Sequence, residues 1–369
     1  MRRITDLVPP HVLEFASYTP SRPDDVLKKQ YGVERLYRLN NNENALGPPP
    51  AAREAIAAFP SAQGAVYPNG DCFFLRQALA EAFCKSPDQF LVGNGSCEVI
   101  TSVIKAFCQQ GNAIVTADKT FAVYEWVAAF SGVEPLLVPL RDYALDQEAM
   151  LAAVTERTKV VFVCNPNNPT GTWWDRDTLE GFLRGVGGRA VVVLDEAYRE
   201  FVDAPDFPVG VQVMERHPNV LVFRTFSKMY GLAAFRVGYL CGSPECVDIV
   251  RRTHLVYSVN TVGQAAARAA VTDGAGHVEA TRRMVGEASG YLRSVFDSLG
   301  LEHVSQEGNY IMARVPMSDT LLYRLLMRQG VMVRTMTGFR FPNWIRVTLG
   351  LPEAMEAFAT ALRTALDRR

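Results

Sequence analysis

One strand-like run reveals the architecture of this chain: Ala190-Val191-Val192-Val193-Leu194-Asp195-Glu196-Ala197-Tyr198. Its apolar part leaves no polar face, which is typical of a strand covered by helices on both sides of a parallel sheet. Asp195 follows at the carboxyl end of the strand, where ligands bind in open α/β sheets. The run therefore predicts an α/β fold with chemistry at that edge of its sheet.

Similar β-branched runs recur on either side, with helical patterns between them. The strand-like runs cover residues 89–92, 113–116, 135–138, 160–164, 220–224 and 237–241. The helical patterns cover residues 97–109, 121–131, 146–155, 175–185 and 208–217. This alternation predicts a mostly parallel sheet with helices on both faces.

The two ends of the chain differ from this alternation. Residues 1–50 are marked by prolines and predict an arm with a short helix at 24–30; helical patterns then cover 50–59 and 71–85. Beyond residue 255 the predicted elements are a long helix at 262–299 broken near Gly274, strands at 310–315, 331–334 and 345–349, and helices at 318–329 and 353–367. We therefore expect a large domain over 51–255, and a smaller α+β domain over 256–369 that the arm joins.

The composition excludes several classes of protein. The 38 basic and 39 acidic side chains give a net charge of −1, whereas nucleic-acid binding needs a clustered positive surplus. No apolar run reaches the roughly 18 residues of a membrane span, and no apolar stretch follows Arg2 and Arg3 as in a secretory signal. The seven cysteines form no Cys-x-x-Cys pair and the five histidines show no ligand spacing. We expect reduced thiols, a cytoplasmic location and no metal site.

A candidate phosphate site follows the first strand of the alternation. Gly93-Asn94-Gly95-Ser96-Cys97-Glu98 lies between a strand and a helix, and backbone N–H groups at a helix start bind phosphate. The same turn also serves as a plain strand-to-helix corner. It lacks the third glycine of a nicotinamide-binding fingerprint, which disfavours a dehydrogenase.

Further polar motifs follow three later strands. The first of these strands is followed by Asn165-Pro166-Asn167-Asn168-Pro169-Thr170-Gly171, and the second is followed by Asp195. The third is followed by Arg224-Thr225-Phe226-Ser227-Lys228. Asp195 either pairs with a cation or caps a helix. A lysine here serves as a nucleophile if its pKa is depressed, and Arg236, eight residues on, suits an oxyanion.

These parts together fit pyridoxal 5′-phosphate (PLP). Thr225, Ser227 and Arg236 would join the phosphate site, and Lys228 would form the imine. Asp195 would keep the ring nitrogen protonated, so that the ring acts as an electron sink. The two C-terminal strands add Arg334 and Arg346, which would either bind a substrate anion or pair with surface carboxylates.

The motifs resemble those of fold-type I, class I/II aminotransferases. The resemblance rests on Asn168-Pro169-Thr170-Gly171, Asp195-Glu196-Ala197-Tyr198, Ser227-Lys228 and Arg236, and covers roughly residues 10–365. The family that is most similar is histidinol-phosphate aminotransferase, through Leu39-Asn40-Asn41-Asn42-Glu43-Asn44 with Gly47, Tyr67-Pro68, Gly93-Asn94-Gly95-Ser96 and Ile345-Arg346-Val347-Thr348-Leu349-Gly350.

The resemblance implies a role for each matching residue. Lys228 would carry the internal aldimine and move the α-proton, with Asp195 and Tyr198 as the other catalytic residues. The implied cofactor-binding residues are Tyr67 (from a second subunit), Gly95, Ser96, Cys97, Phe121, Asn168, Asp195, Tyr198, Thr225, Ser227, Lys228 and Arg236. The implied substrate-binding residues are Tyr18, Asn44, Arg334 and Arg346. It further implies a homodimer that transfers an amino group from histidinol phosphate to 2-oxoglutarate.

Departures from the family pattern leave alternatives open. Cys97 stands where the family has Asp, Lys119 and Ala45 where it has Pro, and Ala234-Phe235 where it has Gly-Leu. Cys97 changes a side-chain contact with the cofactor phosphate, whereas Lys119, Ala45 and Phe235 bear on the substrate more than on the cofactor. The alternatives are an aminotransferase for aromatic or other amino acids, a threonine-phosphate decarboxylase-like enzyme and a non-catalytic relative, which the presence of Lys228 and Asp195 disfavours.

Overall fold

The computed structural model of the chain describes residues 3–16, 22–304 and 307–367. Within these ranges the strands form two sheets. The strands are β1 (Tyr37–Leu39), β2 (Phe90–Gly93), β3 (Ala113–Ala117), β4 (Glu134–Val138), β5 (Thr158–Cys164), β6 (Val191–Asp195), β7 (Val220–Thr225), β8 (Gly238–Gly242), β9 (His303–Val304), β10 (Tyr310–Arg314), β11 (Val331–Thr335) and β12 (Trp344–Thr348).

The α-helices alternate with these strands as the sequence predicts. They are α1 (Pro10–Leu13), α2 (Asp24–Tyr31), α3 (Pro50–Ala57), α4 (Phe73–Phe83), α5 (Ser96–Phe107), α6 (Val123–Phe130), α7 (Gln147–Ala152), α8 (Arg176–Val186), α9 (Gly210–Arg216), α10 (Pro244–Arg251), α11 (Thr261–Thr272), α12 (Ala275–Ser298), α13 (Asp319–Met327) and α14 (Pro352–Asp367). The break between α11 and α12 lies at the predicted Gly274, whereas α1 and α10 were not predicted. Within the described residues, no helix is long and apolar enough to cross a membrane.

The larger sheet has the strand order β2-β8-β7-β6-β5-β3-β4 among the described residues. Its strands are parallel except β8, which is antiparallel to both of its neighbours. The central strand β6 is fully buried. Val192 and Leu194 belong to one apolar cluster and Val191 and Val193 to another, because alternate side chains point to opposite faces. Helices therefore cover both faces, which confirms the predicted fold class.

The smaller sheet has the described order β1-β11-β12-β10-β9. Strand β1, from the N-terminal arm, runs parallel to β11, and the remaining pairs are antiparallel. One apolar cluster joins this sheet to helices α12, α13 and α14 through Leu292, Phe296, Leu322 and Phe358. The arm is thus part of the smaller sheet.

Helix α11 packs with the larger sheet. Its Ala266, Ala267 and Ala270 belong to the same apolar cluster as Val192 and Leu194. The division of the chain at residues 50/51 and 255/256 stays a prediction.

Candidate active site

A cavity of about 630 Å³ lies where the carboxyl ends of β5, β6 and β7 face the smaller sheet. Its volume is in the range of small-molecule sites. It brings together most of the residues that the sequence singles out: Ser96, Cys97, Phe121, Asn168, Asp195, Tyr198, Thr225, Ser227, Lys228, Arg236, Arg334 and Arg346. Among the described residues, no group of three or more His, Cys, Asp or Glu could hold a metal ion.

Lys228 follows β7 and projects into this cavity. Its Nζ donates a hydrogen bond to the backbone oxygen of Asn41 at 2.7 Å. Burial is the main cause that lowers the pKa of Lys228 to about 8, and the positive charge of Arg346 is the second. Close to neutral pH a sizeable fraction of this amine is therefore unprotonated, the form that attacks a carbonyl carbon.

Asp195 ends β6 and is buried. Its Oδ2 accepts a hydrogen bond from the hydroxyl of Tyr124 at 2.5 Å, and its Oδ1 accepts one from the backbone N–H of Ala197 at 3.0 Å. Burial raises the pKa of the carboxyl to about 6. Asp195 is therefore largely ionised above that pH and suited to hold a cationic ligand group.

Tyr198 and Asn168 lie beside Asp195, each with a defined partner. The hydroxyl of Tyr198 accepts a hydrogen bond from Asn42 Nδ2 at 2.8 Å, and burial raises the pKa of Tyr198 to about 12. Since its oxygen already accepts from Asn42, its proton is available for a ligand oxygen. Asn168 Oδ1 accepts from Arg346 Nη1 at 2.5 Å, which leaves the Asn168 amide N–H₂ to donate.

The phosphate candidate is a cradle between α5 and Arg236. Gly95 precedes α5 with a φ of +76°, and a Cβ atom on it would lie 2.2 Å from Arg236 Nη2. A Cβ atom on Gly238 would lie 2.8 Å from the backbone nitrogen of Ser96. Arg236 Nη1 also lies 3.5 Å from Ser227 Oγ. Only glycines allow this approach, which places a guanidinium and a hydroxyl at a helix start.

Cys97 and Phe121 also line the cavity. Burial raises the pKa of the Cys97 thiol, so this side chain is neutral at physiological pH. The ring of Phe121 meets that of Tyr124 edge-on, with centroids 5.6 Å apart. Phe121 thus lies in the cavity wall, and its stacking on a planar ligand stays a prediction.

Arg334 and Arg346 lie opposite each other on adjacent strands of the smaller sheet. Arg334 of β11 and Arg346 of β12 are register partners, and both line the cavity. Arg346 Nη2 donates to the backbone oxygen of Asn40 at 3.0 Å, whereas its buried Nε has no hydrogen-bond partner among the described residues. Burial lowers the pKa of Arg346. Two facing guanidinium groups, one with an unused donor, fit an anionic substrate group.

Two predicted residues lie away from the cavity, and a third is not among the described residues. Asn44 is outside the cavity lining, because its Nδ2 donates to the backbone oxygen of Met229 at 2.7 Å and to Thr281 Oγ1 at 3.1 Å. Tyr67 is 82% exposed on the surface of its own chain. Tyr18 lies outside the described residues.

Sequence reasoning missed Tyr124, Asn41 and Asn42. Tyr124 holds Asp195, Asn41 accepts from Lys228, and Asn42 donates to Tyr198. One signal was available for Tyr124, since a tyrosine on the apolar face of a helix needs a buried acceptor for its hydroxyl.

The cavity suits a planar cofactor that carries a phosphate. The cradle at Gly95 and Arg236 fits a phosphate monoester. The carboxylate of Asp195 fits a protonated ring nitrogen, and the amine of Lys228 fits an aldehyde. These are the functional groups of PLP.

Comparisons with known proteins agree with this geometry. The family model for aminotransferase class I and II matches residues 34–362. The histidinol-phosphate aminotransferase of Moorella thermoacetica is 39% identical over 356 residues, which cover 96% of this chain and 92% of that protein. The histidinol-phosphate aminotransferase 2 of Pseudomonas aeruginosa is 40% identical over 362 residues, 98% of each chain.

A solved structure is similar over nearly the same length. The histidinol-phosphate aminotransferase of Sinorhizobium meliloti, in complex with PLP, has a TM-score of 0.86 and 25% identity, with 98% of each chain covered. The fold, the site and the family match thus lead to one conclusion: the chain belongs to the aminotransferase class I and II family.

Proposed function

We propose that this enzyme uses PLP to transfer the amino group of histidinol phosphate to 2-oxoglutarate. The observation that carries the proposal is the position of Lys228, whose amine has a pKa of about 8 and shares one cavity with Asp195 and the phosphate cradle. The relatives named histidinol-phosphate aminotransferase support the choice of amino donor.

The residues of the cavity would hold the cofactor at three points. Ser96, Ser227 and Arg236 would bind its phosphate, and Asp195 its ring nitrogen. Asn168 and Tyr198 would donate to its ring oxygen, with Gly95, Cys97 and Thr225 beside the phosphate and Phe121 against the ring. When bound, PLP withdraws electrons from the substrate's α-carbon.

Lys228 would move the proton. Its neutral Nζ would accept the proton that leaves the α-carbon of the substrate and would return that proton to the cofactor, which receives the amino group. The hydrogen bond to the Asn41 carbonyl holds the free Nζ in the cavity before the cofactor is attached. Arg334 and Arg346 would bind the anionic end of the donor, and the same pair would bind the carboxylates of the 2-oxo acid.

A panel of amino donors tests the substrate. We expect histidinol phosphate to convert the PLP form of the enzyme to the pyridoxamine form. The change in visible absorbance measures this conversion. Histidinol is the matched control, because it lacks only the phosphate, and we expect its kcat/KM to be about 100-fold lower after the loss of charge-assisted hydrogen bonds.

Other outcomes of the panel would identify the alternatives. Conversion by phenylalanine or tyrosine but not by histidinol phosphate would establish an aromatic aminotransferase. Release of CO₂ from threonine phosphate without formation of a keto acid would establish the decarboxylase.

We further propose that two copies of the chain form a homodimer. We infer one apolar face from seven exposed apolar side chains on two chain segments: Val66, Tyr67, Phe73, Phe74, Leu255, Val256 and Tyr257. The rings of Tyr67 and Tyr257 lie 5.2 Å apart on it. Exposed apolar patches of this kind mark interaction sites, and Tyr67 would reach the partner's cofactor from there. The cytoplasmic location inferred from the cysteines stays a prediction.

Sedimentation tests the dimer. We expect a mass of twice the 40.8 kDa of the chain, and Val256→Asp, which places a charge in the apolar face, should shift the protein toward monomer. Glu279→Asp, at an exposed position of α12 that is not part of that face, is the matched control. A wild-type protein that sediments as a monomer at all concentrations would refute the proposal.

A further inference from the structure

Tyr124 occupies a fixed position beneath the cavity. Its side chain is fully buried, and its ring stacks on Phe162 with centroids 4.5 Å apart and an interplanar angle of 10°. Phe121 packs against its edge. With the ring held on two sides, the hydroxyl donates to Asp195 Oδ2 at 2.5 Å and also interacts with the thiol of Cys164.

With the hydrogen bond from Tyr124, each carboxylate oxygen of Asp195 accepts from a protein donor. The backbone N–H of Ala197 donates to Oδ1 of the same carboxylate. Each carboxylate oxygen accepts more than one hydrogen bond. Both oxygens thus have a protein donor and retain capacity for a third donor from the cavity.

We propose that Tyr124 is a positioning residue for the cofactor. Its hydroxyl keeps the carboxylate of Asp195 ionised, so that the carboxylate can pair with the ring nitrogen. Tyr124 is not among the described residues that line the cavity, so it acts through Asp195 and does not touch the ligand. This inference rests on the proposed use of PLP.

The electrostatics of the site explain why Asp195 needs this donor. Burial favours the neutral acid, and the nearby charge of Glu196 does so too, whereas the hydrogen bonds from Tyr124 and Ala197 favour the carboxylate. Without the Tyr124 hydroxyl, the pKa of Asp195 would rise further. Among the described residues, the other titratable groups that interact with Asp195 or line the cavity are Glu43, Cys97, Cys164, Tyr198, Lys228, Arg236, Tyr310, Arg334 and Arg346.

The affinity of the apoenzyme for PLP, measured across pH, tests the proposal. In the wild type we expect affinity to fall as the pH decreases through about 6, where Asp195 takes up a proton. Tyr124→Phe removes the hydroxyl and keeps the ring. We expect this variant to lose affinity at a higher pH and to bind PLP about tenfold more weakly near pH 6.5. The two affinity curves should converge above pH 8, where Asp195 is ionised in both the wild type and the variant.

Tyr143→Phe is the matched control. The Tyr143 hydroxyl also donates to a carboxylate, that of Glu302, outside the cavity, so its removal should leave the PLP curve unchanged. The melting temperature of each apoenzyme separates folding from positioning. Identical pH curves for wild type and Tyr124→Phe, or an equal loss of affinity at every pH, would overturn the inference. A wild type that does not bind PLP would instead refute the proposed function.

Discussion

Lys228→Ala is expected to abolish transamination. The substitution removes the only amine that the described residues place in the cavity, and with it both the covalent attachment of PLP and the group that moves the proton. General acid–base catalysis alone contributes up to about 10⁴-fold, so we expect the half-reaction to slow by at least about that factor. Stopped-flow absorbance after mixing with the amino donor measures it.

The visible spectrum gives an independent reading of the same variant. Wild-type enzyme with PLP should show the absorbance of the lysine-bound cofactor and lose it on treatment with borohydride, whereas Lys228→Ala should not trap the cofactor. Lys105→Ala, at an exposed position on α5, is the matched control and should behave as wild type. Retention of borohydride-trapped cofactor by Lys228→Ala would show that another amine is used.

Asp195→Asn is expected to reduce kcat/KM by about 10²- to 10³-fold, the range for removal of one electrostatic stabiliser from an active site. The neutral amide keeps the size of the side chain but no longer favours a protonated ring nitrogen. Asp175→Asn is the matched control, because Asp175 caps α8 away from the cavity and asparagine caps equally well. Near-wild-type turnover in Asp195→Asn would contradict the role of the carboxylate.

The same variant should make the apoenzyme more stable. The folded-state pKa of Asp195, about 6, lies above the ordinary value of 3.8. A raised acid pKa contributes stability at low pH that is lost as the pH rises through about 6. The difference corresponds to roughly 3 kcal/mol at neutral pH. We therefore expect apo Asp195→Asn to melt at a higher temperature than wild type at pH 8 and to show little gain at pH 4.

The fold was predictable because its elements carry strong local signals. The apolar run before Asp195 identified a central strand, and Gly274 identified the break between two helices. Strand β1 was not predicted. It has three residues, and its partner β11 lies almost 300 positions later in the chain, so no local pattern marks it.

The candidate site was predictable where a residue follows a strand. Asp195 and Lys228 are of this kind, because parallel strands end at one edge of a sheet. The sequence could not predict which residues of Asn40-Asn41-Asn42-Glu43-Asn44 contact the site, because that depends on the path of the backbone. Asn42 has a φ of +55°, a turn that directs its amide to Tyr198 and leaves Asn44 facing Met229 and Thr281.

The N-terminal arm also determines when the site forms during folding. The carbonyl groups of Asn41 and Asn40 bond to Lys228 and Arg346, which are 187 and 306 positions away in the chain. Contacts between such distant residues form late, after most of the loop entropy has been lost. A partly folded chain would therefore lack a competent pocket, and PLP would select the complete native state. Bound cofactor should then slow global unfolding and protect the whole chain from proteolysis.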